Sequence, residues 1–163
     1  MKITARDVMT RTYHTLRPHQ TVAEAVRLFK TASRVEGRRI YGMMVTDDQA
    51  HLVGLVSMYD IMLFVRPKHI SVWGMIEDID IPDLVDRACE RTRQVKVGDI
   101  MSTELVSVTA DTHILTLLDI MITKHVRRIP VLEADSILGM VYISDLFFHL
   151  LDKLADAPEE AAR

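Results

Sequence analysis

Gly54-Leu55-Val56-Ser57-Met58-Tyr59-Asp60 returns further along the chain as Gly139-Met140-Val141-Tyr142-Ile143-Ser144-Asp145. An upstream string behaves the same way, since Asp7-Val8-Met9-Thr10 returns as Asp99-Ile100-Met101-Ser102. Two unrelated strings repeated in the same order mark a duplicated module. Met101 minus Met9 is 92 and Asp145 minus Asp60 is 85, so the first copy holds 7 extra residues between those anchors.

Working outward, Thr12 to Leu16 and Glu104 to Val108 carry β-branched residues just ahead of helix signals and read as strands. Thr21 and Glu24 have the spacing of a capping box, and Asp111-Thr112 is expected to cap the second copy. Val22, Ala25, Val26 and Phe29 then fall at i, i+3, i+4 and i+7, and Ile114, Leu117, Leu118 and Met121 repeat that stripe. Arg38-Arg39-Ile40 matches Arg127-Arg128-Ile129 at a spacing of 89. That match puts three extra residues in a Gly-ended helix extension, Thr31 to Gly37, and the other four in the following hairpin.

Polar breaks at Asp47-Asp48-Gln49-Ala50 and Glu133-Ala134-Asp135-Ser136 separate extended apolar runs, Tyr41 to Val45 from Leu52 to Val56 and Pro130 to Leu132 from Ile137 to Val141. A second helix starts near Tyr59 and near Ser144, with apolar positions Ile61, Met62, Phe64 and Val65 in one copy and Leu146, Phe147, Leu150 and Leu151 in the other. Each copy therefore reads strand, helix, strand, strand, helix, an α+β fold. Arg66 to Gln94 matches nothing in either copy and reads as a connector. It holds the acidic run Glu77-Asp78-Ile79-Asp80 and a short amphipathic helix after Pro82, with Leu84, Val85, Ala88 and Cys89 on its apolar face. The tail after Asp152 is expected to fray.

Composition narrows the function. The 163 residues are 48% hydrophobic and 26% charged, the balance of a globular chain, with a net charge of −3. No global positive field attracts nucleic acid or an anionic membrane. The longest nearly apolar run, Leu52 to Val65, falls short of the ~20 residues that cross a bilayer. The first seven residues lack the apolar core of a signal peptide, and one cysteine permits no internal disulfide, so a reducing cytoplasm is the expected location.

No phosphate-cradling glycine loop or nucleophile elbow is present, and the seven histidines show no metal-ligand spacing, so an enzyme and a metal site are both disfavoured. What remains is the strand-to-helix junction. A carboxylate there can accept both hydrogens of a vicinal diol, as a ribose presents, while Ser57 and the free N–H groups of the helix start suit sugar or phosphate. Ser-x-x-Asp is also a helix cap that needs no ligand, and for one copy alone capping is the simpler account. The second copy shifts the balance, because Tyr142 replaces the hydroxyl while Asp145 stays. Guanidinium forks in Arg38-Arg39 and Arg127-Arg128 suit phosphate oxygens, but adjacent side chains of an extended segment face opposite ways, so one Arg of each pair is available.

Tandem Asp-h-Met-Ser/Thr (h, apolar), a capped helix, Arg127-Arg128-Ile129-Pro130-Val131 and the closing Gly-h-h-Ser/Thr-x-x-Asp-h resemble paired cystathionine beta-synthase (CBS) domains, also called a Bateman module. The resemblance covers about residues 3 to 65 and 95 to 152, leaving out only connector and tail. It implies two CBS-type β-α-β-β-α repeats related by a pseudo-twofold in one compact module, with repeat 1 over 1–65, connector 66–94, repeat 2 over 95–152 and tail 153–163. It further implies a non-catalytic regulatory module, of an energy-sensing kind, that binds AMP, ADP, ATP or S-adenosylmethionine in the cleft between the repeats, with no obligatory cofactor. By position, the ribose role falls on Asp60 and Asp145, with Ser57, Ser144 and Tyr142 beside them. Phosphate falls on Arg127 or Arg128 and Arg38 or Arg39. The walls fall on Tyr13, His14 and Ile40 to Met43 in one half, and Leu105, Val106, Ile129 and Pro130 in the other. Repeat 1 departs from the pattern with Tyr41-Gly42-Met43 and a longer hairpin, and repeat 2 with Tyr142.

The leading expectation is a stand-alone nucleotide sensor, homodimeric through its helices, acting on an effector protein. A ligand-free dimerisation scaffold is the alternative, and single-stranded nucleic-acid binding through the Arg pairs a weaker one.

Overall fold

In the computed structural model, which describes residues 2–66 and 81–155, each repeat forms a three-stranded sheet with helices. In chain order the elements are α1 (Ala5–Val8), β1 (Thr15–Leu16), α2 (Val22–Glu36), β2 (Gly42–Thr46), β3 (Leu52–Ser57), α3 (Met58–Val65), α4 (Ile81–Arg93), α5 (Val97–Ile100), β4 (Val108–Thr109), α6 (Ile114–Thr123), β5 (Arg128–Glu133), β6 (Ser136–Tyr142) and α7 (Ile143–Ala155). The acidic run of the connector and residues 156–163 of the tail lie outside the described residues.

Two compact units result, a continuous one, His14–Leu105, and a split one, Met1–Tyr13 with Val106–Arg163. Their limits do not follow the repeats along the chain, because each Asp-h-Met-Ser/Thr segment joins the other copy's sheet. In the split unit the Ala5 N–H donates to the Thr112 carbonyl (2.8 Å), the Ile114 N–H to Ile3 (3.0 Å), and Thr10 bridges Met140. In the continuous unit the Val97 N–H donates to Gln20 (2.8 Å), the Val22 N–H to Val95 (2.8 Å), and Ser102 bridges Leu55. Burial fixes both attachments. Ala5 and Val8 sit in the core of the split unit, and Val97 and Ile100 in that of the continuous unit, at about 1.5–3 kcal/mol for each fully buried Val or Ile.

In the continuous unit β1 pairs parallel with β2, and β2 antiparallel with β3. Thr21 and Glu24 close the capping box of α2, whose Val22, Ala25, Phe29 and Ala32 are buried. Gly37 ends that helix at φ 66°, a left-handed position that glycine adopts without steric cost. Of the expected apolar face of α4, Ala88 is buried and Leu84 half-buried, whereas Val85 and Cys89 are exposed.

The split unit repeats this order with β4, β5 and β6. Its helix α6 is capped by His113, whose Nδ1 accepts the Leu115 N–H at 3.2 Å. The expected Asp111-Thr112 cap fails because the helix begins only at Ile114 and the Thr112 backbone is spent on Ala5 and Thr109.

Sheet register corrects the internal alignment. Val45 pairs with Gly54 and Val131 with Gly139, while Met43 pairs with Val56 and Ile129 with Val141. The Met58 N–H donates to Tyr41 and the Ile143 N–H to Arg127. Tyr41-Gly42-Met43 therefore holds the place of Arg127-Arg128-Ile129, a spacing of 86, and not Arg38-Arg39-Ile40. The spacing drops from 92 to 86 between the first helix and β2, and from 86 to 85 in the hairpin, so six of the extra residues precede β2 and one follows it. With Ser33 matched to His125 and Ile40 to Val126, the six are Arg34 to Arg39.

Candidate functional site

Each unit carries one half-buried aspartate in the first turn of the helix that follows its last strand. In the continuous unit that residue is Asp60. Its Oδ2 accepts the Ser57 N–H (2.8 Å) and the Ser57 Oγ–H (2.9 Å), and the Asp60 N–H leans back on Ser57 Oγ at 3.4 Å. The cap is thus fully made, and it occupies one oxygen. Among the described residues Oδ1 accepts no hydrogen bond.

In the split unit Tyr142 stands where a cap hydroxyl would be, and the hydroxyl comes from elsewhere. Thr10 Oγ1 donates to Asp145 Oδ2 at 3.2 Å, across 135 positions of sequence. Thr10 is held there by two backbone bonds with Met140, at 2.8 and 3.0 Å. Gly139 permits the approach, because a Cβ at that position would collide with the Thr10 carbonyl oxygen. This residue was not singled out from sequence. The signal for it was the missing hydroxyl at Tyr142 together with a Ser or Thr closing both Asp-h-Met motifs.

The remaining candidates divide between the units. The split unit holds Tyr13, Val106, Arg127, Arg128, Ile129, Pro130, Tyr142 and Ser144, and the continuous unit holds His14, Arg38, Arg39, Ile40, Met43 and Leu105. Met43 and Ile129 are buried in the two cores. Ile40 is 6% exposed. The Tyr13 hydroxyl donates to the Ile137 carbonyl at 3.1 Å, a tie within the split unit. Arg127 is exposed beside the start of α7, since its carbonyl accepts the Ile143 N–H at 2.9 Å.

Arg38 and Arg39 part company as adjacent side chains should. Arg38 Nε lies 3.7 Å from Glu36 Oε2, whose other oxygen is 3.1 Å from His14 Nδ1. Glu36 is itself a residue that sequence reasoning passed over, and its side chain is only 6% exposed. Arg39 turns outward. Of the motif aspartates, Asp7 serves α1: the Thr4 N–H and then its hydroxyl hold this carboxylate below the usual range. Among the described residues no three His, Cys, Asp or Glu side chains gather as a metal site, and no helix is long and apolar enough to cross a membrane.

The sequence profile of the CBS domain matches residues 5–66 and 97–152. CBSX1 of Arabidopsis thaliana, a chloroplastic CBS domain-containing protein, is 31% identical over 131 residues, covering 75% of this chain; the chain spans about half of that relative's length, 52%. YhcV of Bacillus subtilis (strain 168) is 28% identical over 141 residues, 86% of this chain and 81% of the relative. The crystal structure of CBSX2 in complex with AMP superimposes with a TM-score of 0.67 at 22% identity, covering 93% of this chain and 98% of that one. The CBS domain pair of MJ0100, in complex with 5′-methylthioadenosine and S-adenosyl-L-methionine, gives 0.68 at 14% identity, over 94% and 99%. These two likenesses establish the fold, and with the profile matched over both repeats the chain belongs to the CBS domain family.

Proposed function

We propose that this chain is a non-catalytic regulatory module that binds an adenosine-containing ligand, AMP, ADP, ATP or S-adenosylmethionine, through Asp60 and Asp145. The observation that carries this reading is the twice-built carboxylate, half-buried at a helix start, with a hydroxyl donating to it in both units and the Ser57 N–H as well at Asp60. A ribose diol needs acceptor capacity on one carboxylate, and Asp60 keeps Oδ1 for it. Phosphate is assigned to Arg127 or Arg128 rather than Arg38 or Arg39, because Arg127 abuts the helix of Asp145 whereas Tyr41 holds that place in the continuous unit. The AMP complex of CBSX2 and the S-adenosylmethionine complex of the MJ0100 pair support the ligand class.

The second part of the proposal is self-association through α3 and α7, with an effector protein reading the ligand state in a reducing, cytoplasmic compartment. Tyr59 (68% exposed), Met62 (62%) and Phe148 (63%) lie on those helices, more apolar surface than water favours. Binding regulates only if the ligand prefers one arrangement of the chain over another.

A melting assay on nucleotide-free protein tests the ligand. Saturation at 100 times Kd adds about 2.7 kcal/mol, which for a chain of this length raises Tm by about 5–10 °C. Asp145→Ala and Asp60→Ala together should abolish the shift while preserving the oligomer. No shift with any of the four ligands refutes the proposal.

A further inference from the structure

The continuous unit has a groove of about 310 Å³ beside α2. Its floor is apolar, from Val26, Phe29 and Ile40, and the Tyr41 ring forms one side. Lys30, Arg34 and Arg39 surround it. All three are exposed, and among the described residues none of them meets a carboxylate at ion-pair distance.

The duplication supplies an internal control. Floor positions are apolar in both copies, since Leu118, Met121 and Val126 answer Val26, Phe29 and Ile40. The charged positions are not shared. Ile122 answers Lys30, Arg127 answers Tyr41, and Arg34 and Arg39 belong to the six-residue insertion that repeat 2 lacks. The insertion is firmly built. The Ile40 N–H donates to Ser33 Oγ at 2.9 Å, that hydroxyl donates to the Phe29 carbonyl at 2.6 Å, and buried Glu36 faces His14 and Arg38. Its one carboxylate is thereby turned away from the groove.

A solvated basic helix end accounts for part of this, because Lys30 and Arg34 lie toward the C-terminus of α2, where the helix dipole favours cations. It does not account for Arg39, which comes from beyond the helix, or for the apolar lining beside the three cations. Like charges one turn apart also repel, as Lys30 and Arg34 do here. Three cations ask for more than one negative charge, and guanidinium forks match phosphate oxygens. The groove is at the small end of ligand-site volumes, room for one compact ring system and its phosphate.

We propose that this groove is a second, independent ligand site, specific to the first repeat, for a small organic phosphate whose flat apolar body lies on Phe29 and Ile40 against Tyr41 while Lys30, Arg34 and Arg39 hold the phosphate. It does not rest on the adenosine reading, which is carried by Asp60 and Asp145, although Arg39, Ile40 and Tyr41 are among the residues that the family resemblance placed around that ligand.

The test titrates 1-naphthyl phosphate into the full chain and follows backbone amide shifts by NMR, with inorganic phosphate and neutral 1-naphthol as controls. Saturable shifts are expected at Lys30, Arg34, Ile40 and Tyr41, with both controls binding at least tenfold more weakly. Lys30→Ile with Arg34→Ala, both at exposed positions, should weaken the probe at least tenfold while the remaining amides keep their positions. Asp60→Asn with Asp145→Asn should leave it within twofold, which separates this site from the proposed adenosine site. Shifts confined to the exposed faces of α3 and α7, unchanged affinity in the Lys30/Arg34 variant, or a loss in the Asp variants would each overturn the proposal.

Discussion

Two glycines hold equivalent places in the two units, and the structure assigns them opposite tolerances. A methyl group on Gly139 meets the Thr10 carbonyl, which is backbone, whereas on Gly54 it meets the Met101 side chain, Sδ at 2.5 Å and Cγ at 2.9 Å. Methionine has three rotatable bonds, so rotation carries Cγ and Sδ aside, and Cβ, at 3.2 Å, needs to give by only a few tenths of an ångström. Backbone cannot yield without breaking the Thr10–Met140 bridge, whose two bonds are each worth about 1 kcal/mol net. Alanine recovers about 0.5 kcal/mol by restricting the unfolded chain. Gly139→Ala should therefore cost about 1.5–2 kcal/mol and Gly54→Ala within about 0.5 of zero, a Tm difference of about 3–8 °C. Urea midpoints at constant m-value measure the costs, and hydrogen exchange at the Thr10 and Met140 amides locates the damage. Equal costs for the two variants, or full protection of both amides in Gly139→Ala, would refute the argument that the N-terminal segment is seated through this close approach.

Ser57→Ala removes the hydroxyl that caps α3 and should cost about 1 kcal/mol, whereas Ser144→Ala, which caps nothing because α7 begins at Ile143, should stay within about 0.5 kcal/mol; paired urea melts decide. Acid should unmask three further contacts. Hydrogen bonds from Thr4 to Asp7, from Thr21 to Glu24 and from the His51 amide to Asp47 hold these carboxylates below their ordinary values. A depressed folded value stabilises above the unfolded one, so this contribution is complete above about pH 5 and is lost as the pH falls through and below about 4. The triple variant Asp7→Asn, Glu24→Gln, Asp47→Asn should lose less stability than the parent between about pH 5 and 3, read from urea midpoints.

The duplication, the order of elements and the buried helix stripes were legible because they are local, with periodicity and caps written within a few residues of each other. The exchange of Asp-h-Met segments was not, since nothing in Ala5 or Val8 says which copy's core receives them. Arg38-Arg39-Ile40 and Arg127-Arg128-Ile129 look equivalent in sequence and are not equivalent in the sheets. Arg-Arg-Ile occurs in both copies, and three identical letters outweighed weaker signals, yet strand register is fixed by which side chains must face the core. Met43 and Ile129 hold equivalent places in the two sheets, whereas Ile40, buried in the same core as Met43, lies ahead of β2. At the site, the Ser57–Asp60 cap could be read from spacing alone. The Thr10–Asp145 contact joins residues 135 positions apart, and only the fold brings them together.

One carboxylate position is thus served by two different hydroxyls, and under the proposed function that difference has mechanical consequences. A diol arriving at Asp60 can use Oδ1 and leave the Ser57 cap on Oδ2 intact, so the helix start is undisturbed. A diol arriving at Asp145 Oδ2 contends with the Thr10 hydroxyl, which belongs to the segment carrying α1. Displacing one such bond costs about 1 kcal/mol, about a fivefold change in an equilibrium constant. The bond is reciprocal: whatever loosens residues 2–13 from the split unit strengthens binding at Asp145 by the same factor, and binding loosens them. A ligand that engages Asp60 through Oδ1 therefore leaves the continuous unit as it was, whereas one that engages Asp145 through Oδ2 biases the split unit, and the Thr10 contact is the point at which such binding is signalled.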